Sequence, residues 1–458
     1  MRVPRVVLAG THSGAGKTTL TLGLLSALKK RGLIVQPFKV GPDYIDPGLH
    51  RVASGADSHN LDAWMGTNDV VQEVFYRHSE RGHISIIEGV MGLFDGMRDG
   101  DCGSTAHIAR LLHAPVILVV NARGMARSCG ALVKGYRDFD PRVNVAGVIF
   151  NNVGGPRHVE SIKKIVEEEV GVPVLGTVRR YPNINMPERH LGLLPAAEHG
   201  GLEGLLEELT TAVAEDVDLN RLLAVARDAP PVEEKRTVER PKENFRVRVA
   251  VGRDEAFNFY YQDSLDYLKE LGAELVYFSP QYDSCVPSGV DGVYLGGGFP
   301  EMFLPRLARN LGMRDSLRQT AASGIPIYAE CGGLMYLAEK IVDFDGHVFD
   351  GVGLVPGSIQ MQPKLEALGY VTAKSVTESI LAQPGEELRG HEFHYSKMTG
   401  RPDLCTAYKL YGGRGHDGRT EGYARENLLA SYVHLHLRSN PMAARRFLRA
   451  CAGRRDED

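Results

Sequence analysis

The sequence predicts an α/β protein of two domains, the first of which contains a doubly wound, mostly parallel sheet. Short apolar runs alternate with helical stretches up to about residue 210, and a charged segment with three prolines follows at residues 228–244. A second alternation of strands and helices starts at residue 246. The 458 residues also exceed the length of one ordinary domain. We therefore predict a first domain at 1–210, a helix and linker at 211–245, and a second α/β domain at 246–458.

The predicted strands are runs of mainly aliphatic and β-branched residues. Near-continuous apolar runs suit strands that are buried on both faces of a parallel sheet. Residues 212–228 are predicted to be helical, and the charged segment that follows them is predicted to be an exposed linker. The predicted strands, in chain order, are 6–9, 34–39, 84–88, 116–121, 145–151 and 174–178 in the first domain, and 246–251, 274–278, 292–295 and 325–330 in the second.

Composition argues against several classes of partner. The formal net charge of −4 gives no reason to expect nucleic acid. No apolar run approaches the roughly 20 residues that span a bilayer, and the N-terminal residues read as a strand rather than as a signal peptide. The six cysteines form no Cys-x-x-Cys pair, which is typical of reduced thiols. The sequence therefore predicts a cytoplasmic protein that binds neither nucleic acid nor a membrane.

A glycine-rich turn lies between the first predicted strand and the first helix. Residues 10–19 read Gly-Thr-His-Ser-Gly-Ala-Gly-Lys-Thr-Thr, a variant phosphate loop in which Thr11 stands where the strict pattern has glycine. Such a loop wraps phosphates with backbone N–H groups at a helix N-terminus. Lys17 would reach the β- and γ-phosphates and the Thr18 hydroxyl would bind Mg²⁺, whereas the alternative is a turn without function. The predicted nucleotide-binding residues of the loop are Gly10, Thr11, Gly14, Gly16, Lys17, Thr18 and Thr19.

Polar side chains that follow the strands are candidates for the rest of a nucleotide site. Glu88 ends an apolar strand, and ligands of open α/β sheets bind beyond the carboxyl ends of strands. Asp43 and Asp95 also follow strands, but their Gly-Pro-Asp and Asp-Gly contexts favour ordinary turns equally well. The amides at Asn151–Asn152 could contact a purine edge or could simply form a turn.

A cysteine in the second domain has the sequence context of a nucleophile. Cys331 follows a predicted strand and precedes two glycines and a helix, which resembles a nucleophile elbow with Ala329 in place of the first glycine. A helix N-terminus lowers the pKa of a thiol and favours the reactive thiolate. A buried structural cysteine is the alternative interpretation.

A nucleophilic cysteine requires a base and a group that stabilises the developing oxyanion. His434 and His436 would share one face of a strand, and the pair His391 and His394 is a close rival for the role of base. The glycines at residues 296–298 could let backbone N–H groups approach a reacting carbonyl, or could form a flexible turn.

Together these residues resemble the cobyrinate a,c-diamide synthase family over nearly the whole chain. That family joins an N-terminal domain like dethiobiotin synthetase to a C-terminal class I glutamine amidotransferase domain. The phosphate loop that begins Gly10-Thr11 is similar to the dethiobiotin synthetase type. The segments that produce the resemblance are 10–19, 38–47, 88–96, 254–261, 295–301, 329–334 and 432–436.

The resemblance implies a two-part synthesis of amides. Cys331 would release ammonia from glutamine, with His434 as its base and His436 at the position where class I domains have glutamate. ATP and Mg²⁺ would convert a substrate carboxylate to an acyl phosphate, from which ammonia displaces phosphate. The implied metal ligands are Thr18, Asp43 and Glu88; the implied substrate residues are Lys39, Asp43, Tyr44, Ile45, Asp46, Asp95, Gly297 and Gly298; and the implied neighbours of adenine are Asn151 and Asn152.

Alternatives remain for both the acceptor and the class of protein. Ni-sirohydrochlorin a,c-diamide synthases and siroheme amidases share these motifs, so the tetrapyrrole carboxylate could belong to a cobalt corrin, a metal-free corrin or a nickel tetrapyrrole. Partitioning ATPases have similar phosphate-loop folds, which leaves a non-enzymatic nucleotide switch as a second interpretation. A switch, however, would have no use for the elbow at Cys331 with its histidine. Pairing is common among such domains and favours a homodimer.

Overall fold

The computed structural model describes residues 3–97, 100–180, 188–189, 192–193, 195–198, 200–231, 243–400 and 405–453. The chain divides into two compact units, Met1–Val238 and Glu239–Asp458. Most of the predicted linker at 228–244 lies at 232–242, outside the described residues. In the parts that are described, no helix has the length and apolar character needed to cross a membrane.

The first unit is built around a sheet that is covered on both faces. Side chains of its central strand alternate between two separate cores, since Val7 and Ala9 pack in one core whereas Val6 and Leu8 pack in the other. A π-helical turn (Ile165–Val170) and a short 3₁₀ turn (Ala196–Glu198) also occur. The helices and strands are β1 (Arg5–Gly10), α1 (Lys17–Lys30), β2 (Val35–Val40), α2 (Ile45–Ser54), β3 (His59–Leu61), α3 (Asn68–Ser79), β4 (Ile84–Gly92), α4 (Thr105–Leu111), β5 (Val116–Asn121), α5 (Ser128–Phe139), β6 (Val145–Val153), α6 (Pro156–Lys164), β7 (Val174–Arg179), β8 (Glu188–Arg189), β9 (Gly192–Leu193), α7 (Leu202–Asp216) and α8 (Leu219–Arg227).

The main sheet of this unit has seven parallel strands in the order β3-β2-β4-β1-β5-β6-β7. The prediction of a doubly wound parallel sheet is therefore confirmed. The chain leaves β1 toward one edge of the sheet and later returns to β5 on its other side, so the loop after β1 lies at the switch point where such sheets bind ligands. The register places Glu88 of β4 beside both Leu8 of β1 and Lys39 of β2.

The single helix predicted at 212–228 is wrong, because two helices cover this region. Helix α7 ends at Asp216, and Val217 has an extended backbone with φ −123° and ψ 130°. The Asp218 carboxylate then accepts the N–H of Arg221 at 2.9 Å and caps α8. An aspartate in this position satisfies one of the free N–H groups of a new helix, which stabilises a break that helical periodicity alone does not reveal.

The second unit contains a mixed sheet and a smaller sheet. Its elements are β10 (Val247–Gly252), α9 (Gln262–Glu270), β11 (Ala273–Phe278), β12 (Gly292–Leu295), α10 (Leu304–Arg309), α11 (Leu311–Ala322), β13 (Ile327–Glu330), α12 (Gly332–Leu337), β14 (Ala338–Val342), β15 (Val348–Asp350), β16 (Val355–Met361), β17 (Ala367–Ser375), β18 (Glu387–His394), β19 (Ser396–Thr399), β20 (Thr406–Gly412), β21 (Arg419–Arg425), β22 (Leu428–Ser431), β23 (His434–Leu435) and α13 (Pro441–Ala452).

The larger sheet has ten strands in the order β11-β10-β12-β13-β22-β21-β20-β17-β18-β23. The strands from β11 to β22 are parallel, and the strands from β22 to β23 pair in antiparallel fashion. The smaller sheet has the order β15-β14-β16-β19. Strand β13 is buried at every position and delivers Cys331 to the carboxyl edge of the parallel half. The prediction of a second α/β domain is therefore confirmed.

Candidate functional site

The phosphate loop of the first unit connects β1 to α1 in the geometry that its glycines require. Gly14 and Gly16 have φ of 80° and 97°, which glycine adopts without strain. Lys17 begins α1, and its ammonium group donates to the carbonyls of Met91 at 2.5 Å and His12 at 3.3 Å. Burial, followed by the nearby charge of Lys39, lowers the Lys17 pKa from its usual value. A desolvated cation at the start of a helix is suited to contact phosphate oxygens.

Asn151 packs against the phosphate loop from the end of β6. Its side-chain amide donates to the Ala15 carbonyl at 3.2 Å, and a Cβ placed on Gly16 would lie only 2.1 Å from the amide nitrogen. The neighbouring Asn152 has φ of 56° and donates to the Asn121 side chain at 3.3 Å. The structure thus places Asn151 on the loop itself, while the predicted contact of both asparagines with adenine stays a prediction.

Gly16→Ala should weaken ATP binding by more than about 10-fold relative to Gly14→Ala. Both variants force alanine into positive φ, but a Cβ on Gly14 meets no described atom within 4 Å, whereas one on Gly16 displaces the Asn151 amide. Titration calorimetry with MgATP would compare the affinities, and thermal unfolding would verify that both proteins fold. Equal affinities of the two variants would show that Asn151 does not hold the loop in its binding conformation.

Four polar side chains converge beside the loop. The Lys39 ammonium lies 2.5 Å from Asp46 Oδ2 and 2.9 Å from Glu88 Oε1, and all three residues are buried. The Thr18 hydroxyl donates to the same Glu88 oxygen at 2.6 Å and lies 3.4 Å from Asp46 Oδ2. Burial by itself would raise the Glu88 pKa, but Lys39 and the hydrogen bonds from His50 and Thr18 hold it well below its usual range. The cluster therefore contains an ionised carboxylate.

The donor set of this cluster fits magnesium. Hydroxyl and carboxylate oxygens of Thr18, Asp46 and Glu88 already surround a cationic group, the ammonium of Lys39. Such hard oxygen ligands are those that Mg²⁺ prefers. Asp43, which was predicted as a ligand, accepts the N–H groups of Ile45 at 2.8 Å and Asp46 at 3.1 Å. This carboxylate therefore caps α2, and its binding to a metal stays a prediction.

The remaining residues predicted for the first unit lie around the same end of the sheet. Tyr44 and Ile45 are at the start of α2. The Asp95 carboxylate accepts the N–H of Gly92 at 2.9 Å and so braces the chain immediately after β4. The Thr11 carbonyl accepts a hydrogen bond from Tyr136. These positions put the predicted substrate residues near the loop without testing their contact with a substrate.

Cys331 occupies a strained turn at the end of β13. Its φ of 45° and ψ of −100° lie outside the ordinary regions for an L-residue, and its N–H donates to the Ser431 carbonyl at 2.7 Å. Strain of this kind is held by the surrounding structure and clusters at active sites. A Cβ on Gly332 would lie 3.0 Å from the Gly298 nitrogen, which explains why glycine follows the cysteine. This is the geometry of a nucleophile elbow.

The expected lowering of the Cys331 pKa is wrong. Burial, followed by the negative charge of Glu301, raises the pKa of this thiol above its usual range, although the N–H of Gly332 opposes the shift. Only 4% of Cys331 is exposed, and its thiol donates to the Phe393 carbonyl at 3.9 Å. The resting group is therefore the thiol, and it needs a base to become a nucleophile.

His434 lies against the predicted oxyanion loop. A Cβ on Gly297 would lie 2.4 Å from its Cε1 atom, so glycine is required for this close approach. The Nδ1 atom on the same edge of the ring lies 3.7 Å from Glu330 Oε2. The N–H of Gly297 donates to Phe259 at 3.3 Å, whereas the N–H of Gly298 has no partner among the described residues. Of these two glycines, Gly298 is therefore the better placed oxyanion donor.

The other candidate histidines have different surroundings. Strand β23 ends at Leu435, so the expectation that His436 shares a strand face with His434 is wrong. His436 is hydrogen-bonded to Ser439 at 2.7 Å, and its Nε2 lies 3.7 Å from Asp263. His391 pairs directly opposite His434 across β18 and β23. Burial, followed by the charge of His434, lowers the His391 pKa to about 3, so this rival base is neutral at ordinary pH.

A cavity of about 510 Å³ in the second unit has Tyr432 in its wall, whereas Cys331 is not one of its lining residues. Two of its lining residues, Glu392 and His394, flank Phe393, the acceptor of the thiol, and His394 stacks on Tyr432 with ring centroids 3.8 Å apart. Glu392 is buried and paired with Arg419. The charged residues of the lining are Glu366, Glu392, Lys397, Arg414, Arg419 and Glu421. A cavity with carboxylates and cations in its wall suits a zwitterionic ligand.

Two buried polar residues at these sites were not identified from the sequence. His50 Nε2 is 2.7 Å from Glu88 Oε2, and both side chains are fully buried. Glu330 Oε2 lies 3.7 Å from His434 Nδ1. Glu330 directly precedes the cysteine, which was a signal available in the sequence, whereas the separation of 38 positions between His50 and Glu88 gave none.

Comparison with known proteins assigns both units. Residues 6–194 match the family described as the CobQ/CobB/MinD/ParA nucleotide binding domain, and residues 248–442 match the CobB/CobQ-like glutamine amidotransferase domain. The cobyrinate a,c-diamide synthase of Dehalococcoides mccartyi (strain CBDB1) is 48% identical over 462 residues, covering 98% of each chain.

Relatives from other organisms have the same name. The cobyrinate a,c-diamide synthase of Priestia megaterium is 42% identical and covers 99% of this chain and 98% of its own. That of Archaeoglobus fulgidus is also 42% identical and covers 98% of each chain. This chain is thus a ligase that uses ATP and takes nitrogen from glutamine, and it belongs to the cobyrinate a,c-diamide synthase family.

Proposed function

We propose that this protein converts the carboxylates of the a and c acetate side chains of cobyrinate to amides, with glutamine as the nitrogen donor. Relatives that cover 98–99% of this chain are named for this reaction. One observation supports the proposal most strongly. The same chain holds a buried cysteine in a strained elbow and a phosphate loop beside a cluster of buried carboxylates. A glutamine-dependent ligase needs both of these sites.

We assign the release of ammonia to residues 246–458. The Cys331 sulfur attacks the side-chain amide carbon of glutamine, and its proton passes to His434 and then to the departing ammonia. Water cleaves the resulting thioester, which yields glutamate and restores the thiol. The N–H of Gly298 stabilises the oxyanion, because it is close to the elbow and has no partner among the described residues. The raised pKa of the thiol makes the base necessary.

We assign the activation of the acceptor to residues 1–210. A substrate carboxylate oxygen attacks the γ-phosphorus of ATP, ADP leaves, and an acyl phosphate forms. Ammonia then attacks the acyl carbon and inorganic phosphate leaves, which completes the amide. Lys17 and Lys39 balance the charge of the phosphoryl group and carboxylate. Mg²⁺, held by Thr18, Asp46, Glu88 and the predicted ligand Asp43, supplies further positive charge when it is bound.

The proposal is tested by offering cobyrinic acid and Ni-sirohydrochlorin side by side, with ATP and glutamine, and following the products by mass spectrometry. Two successive amide additions to cobyrinic acid, with the nickel compound much slower, are expected. The reverse preference would overturn the assignment of the acceptor and would indicate a nickel tetrapyrrole ligase with the same residue roles. Turnover of neither compound, with glutaminase activity intact, would also overturn that assignment.

We further propose that this cavity of about 510 Å³ binds the α-amino-acid end of glutamine. Arg414 and Lys397 are exposed in its wall and would pair with the α-carboxylate. Glu366, also in the wall, would pair with the α-ammonium group. The side-chain amide of glutamine would then extend toward Cys331, whose thiol contacts the Phe393 carbonyl.

Arg414→Ala should raise the KM for glutamine by about 10-fold to 100-fold, because a hydrogen bond to a charged group contributes about 1.5–3 kcal/mol. Steady-state kinetics with glutamine and with ammonium salts would measure the effect, and the ammonium-supported reaction should be unchanged. Arg425→Ala removes another exposed arginine that pairs with Glu426 and provides a matched control. An unchanged KM in Arg414→Ala would place the glutamine carboxylate elsewhere.

A further inference from the structure

His434 has a buried carboxylate as its neighbour. Glu330 Oε2 is 3.7 Å from His434 Nδ1, and each side chain is only 1% exposed. Among the described residues, no lysine or arginine forms an ion pair with Glu330, and His434 is the one basic side chain within ion-pair distance. A buried carboxylate is costly unless it is hydrogen-bonded or paired. The environment of Glu330 therefore requires an explanation.

Three donors hold the Glu330 carboxylate in place. Its Oε2 accepts the Tyr294 hydroxyl at 3.0 Å, and its Oε1 accepts the Leu435 N–H at 3.0 Å and the Tyr328 hydroxyl. Leu435 directly follows His434, so this carboxylate fixes the backbone that carries the histidine. All three donors are neutral, and the negative charge therefore remains available to the imidazole ring.

His436 is occupied elsewhere, although it stands at the position of the glutamate in the His-x-Glu pattern. Its contacts are to Ser439 at 2.7 Å and to Asp263 at 3.7 Å, and its ring meets Tyr261 edge to face. Asp263 is in turn bound to Arg438 at 2.6 Å. These contacts tie His436 into an ion-pair network that Glu330 does not join.

We infer that Glu330, and not His436, is the positioning residue of the glutaminase site and completes a Cys331–His434–Glu330 constellation. This inference rests on the proposed role of Cys331 and His434. Glu330 holds the histidine backbone through Leu435 and stabilises the imidazolium that forms when His434 takes the thiol proton. An orienting carboxylate has this function in other nucleophile–histidine sites.

The titratable groups around His434 determine the sign of the expected pH effect. Glu330 faces it from β13, and His391 faces it from β18 but is already neutral because of its low pKa. Glu301 and Glu421 lie within electrostatic range of Cys331. The negative charge of Glu330 stabilises the imidazolium of His434, so its removal should shift the acidic limb of kcat/KM to lower pH.

Glu330→Gln in the full chain should lower kcat for glutamine hydrolysis by at least about 100-fold with little change in KM, and should shift the acidic limb down by about one pH unit. Tyr294→Phe should shift that limb in the opposite direction, because it removes a donor from the oxygen that faces His434 and leaves the charge intact. Opposite shifts are not expected if Glu330 only supports the fold.

Glu339→Gln, at an exposed position of β14, is the matched change of a carboxylate to an amide and should behave as wild type. A decrease of less than 5-fold in the kcat of Glu330→Gln for glutamine hydrolysis would overturn the inference. An acidic limb of kcat/KM that neither variant moves would also overturn it. If Glu330→Gln does not fold, the shift in Tyr294→Phe decides the question by itself. Glutaminase activity that survived in Cys331→Ser would instead contradict the proposed function, whatever Glu330 does.

Discussion

Cys331→Ser should abolish glutamine-dependent amidation and leave ammonia-dependent amidation close to the wild-type rate. The elbow at φ 45° would present a hydroxyl in place of the thiol, and a hydroxyl is a far weaker nucleophile toward an amide. We expect a loss of at least about 1,000-fold in glutamine-supported turnover, as is typical when the nucleophile of a covalent mechanism is removed. Mass spectrometry of the amidated product, with glutamine or ammonium chloride as the nitrogen source, measures both reactions.

Cys405→Ser is the matched control for this experiment. Cys405 is a partly exposed thiol of the same unit and lies just before β20. Its replacement should leave both reactions unchanged. Loss of the ammonia-dependent reaction in Cys331→Ser would contradict the proposal of separate sites for the two half-reactions. Retention of the glutamine-dependent reaction would remove Cys331 from the mechanism.

Lys17→Ala should abolish amidation with either nitrogen source and leave the hydrolysis of glutamine to glutamate at Cys331 intact. Lys17 provides a buried cation at the start of α1. Among the described atoms, its ammonium group donates hydrogen bonds only to the carbonyls of Met91 and His12. Because these carbonyls are neutral, they do not neutralise the charge of Lys17, which can therefore pair with phosphate oxygens. Removal of one such group commonly costs about 100-fold to 1,000-fold in turnover. Formation of ADP and amide, measured with glutamine and with ammonium, tests the expectation.

Lys30→Ala provides the control within the same helix. Lys30 is exposed at the C-terminal end of α1 and should be replaceable without effect on either reaction. If Lys17→Ala lost only the glutamine-dependent reaction, Lys17 would have no part in activation of the acceptor. The variants Lys17→Ala and Cys331→Ser together would separate the two half-reactions of this chain.

Most of the fold could be predicted because its strands are continuous apolar segments. Strand β2 was expected at 34–39 and lies at Val35–Val40, and β5 lies at Val116–Asn121 as expected. Burial on both faces of a parallel sheet imposes this pattern on each strand locally. The break between α7 and α8 was missed, because the Asp218 cap depends on one hydrogen bond rather than on periodicity.

The phosphate loop and the cysteine elbow were also determined by the sequence itself. Each is a short turn in which consecutive residues must adopt a restricted backbone, as the positive φ of Gly16 and Cys331 shows. Because this backbone requirement restricts the identity of consecutive residues, a single segment is sufficient to recognise it.

Only the tertiary structure decided which groups surround these turns. The pairs His50–Glu88 and Glu330–His434 join residues that are distant in sequence, and the register of neighbouring strands or loops brings them together. Burial likewise reversed the expected direction of the Cys331 pKa. Local sequence fixes backbone conformation, whereas hydrogen-bond partners, charges and exclusion of water depend on side chains from several strands, which adjacent residues do not encode.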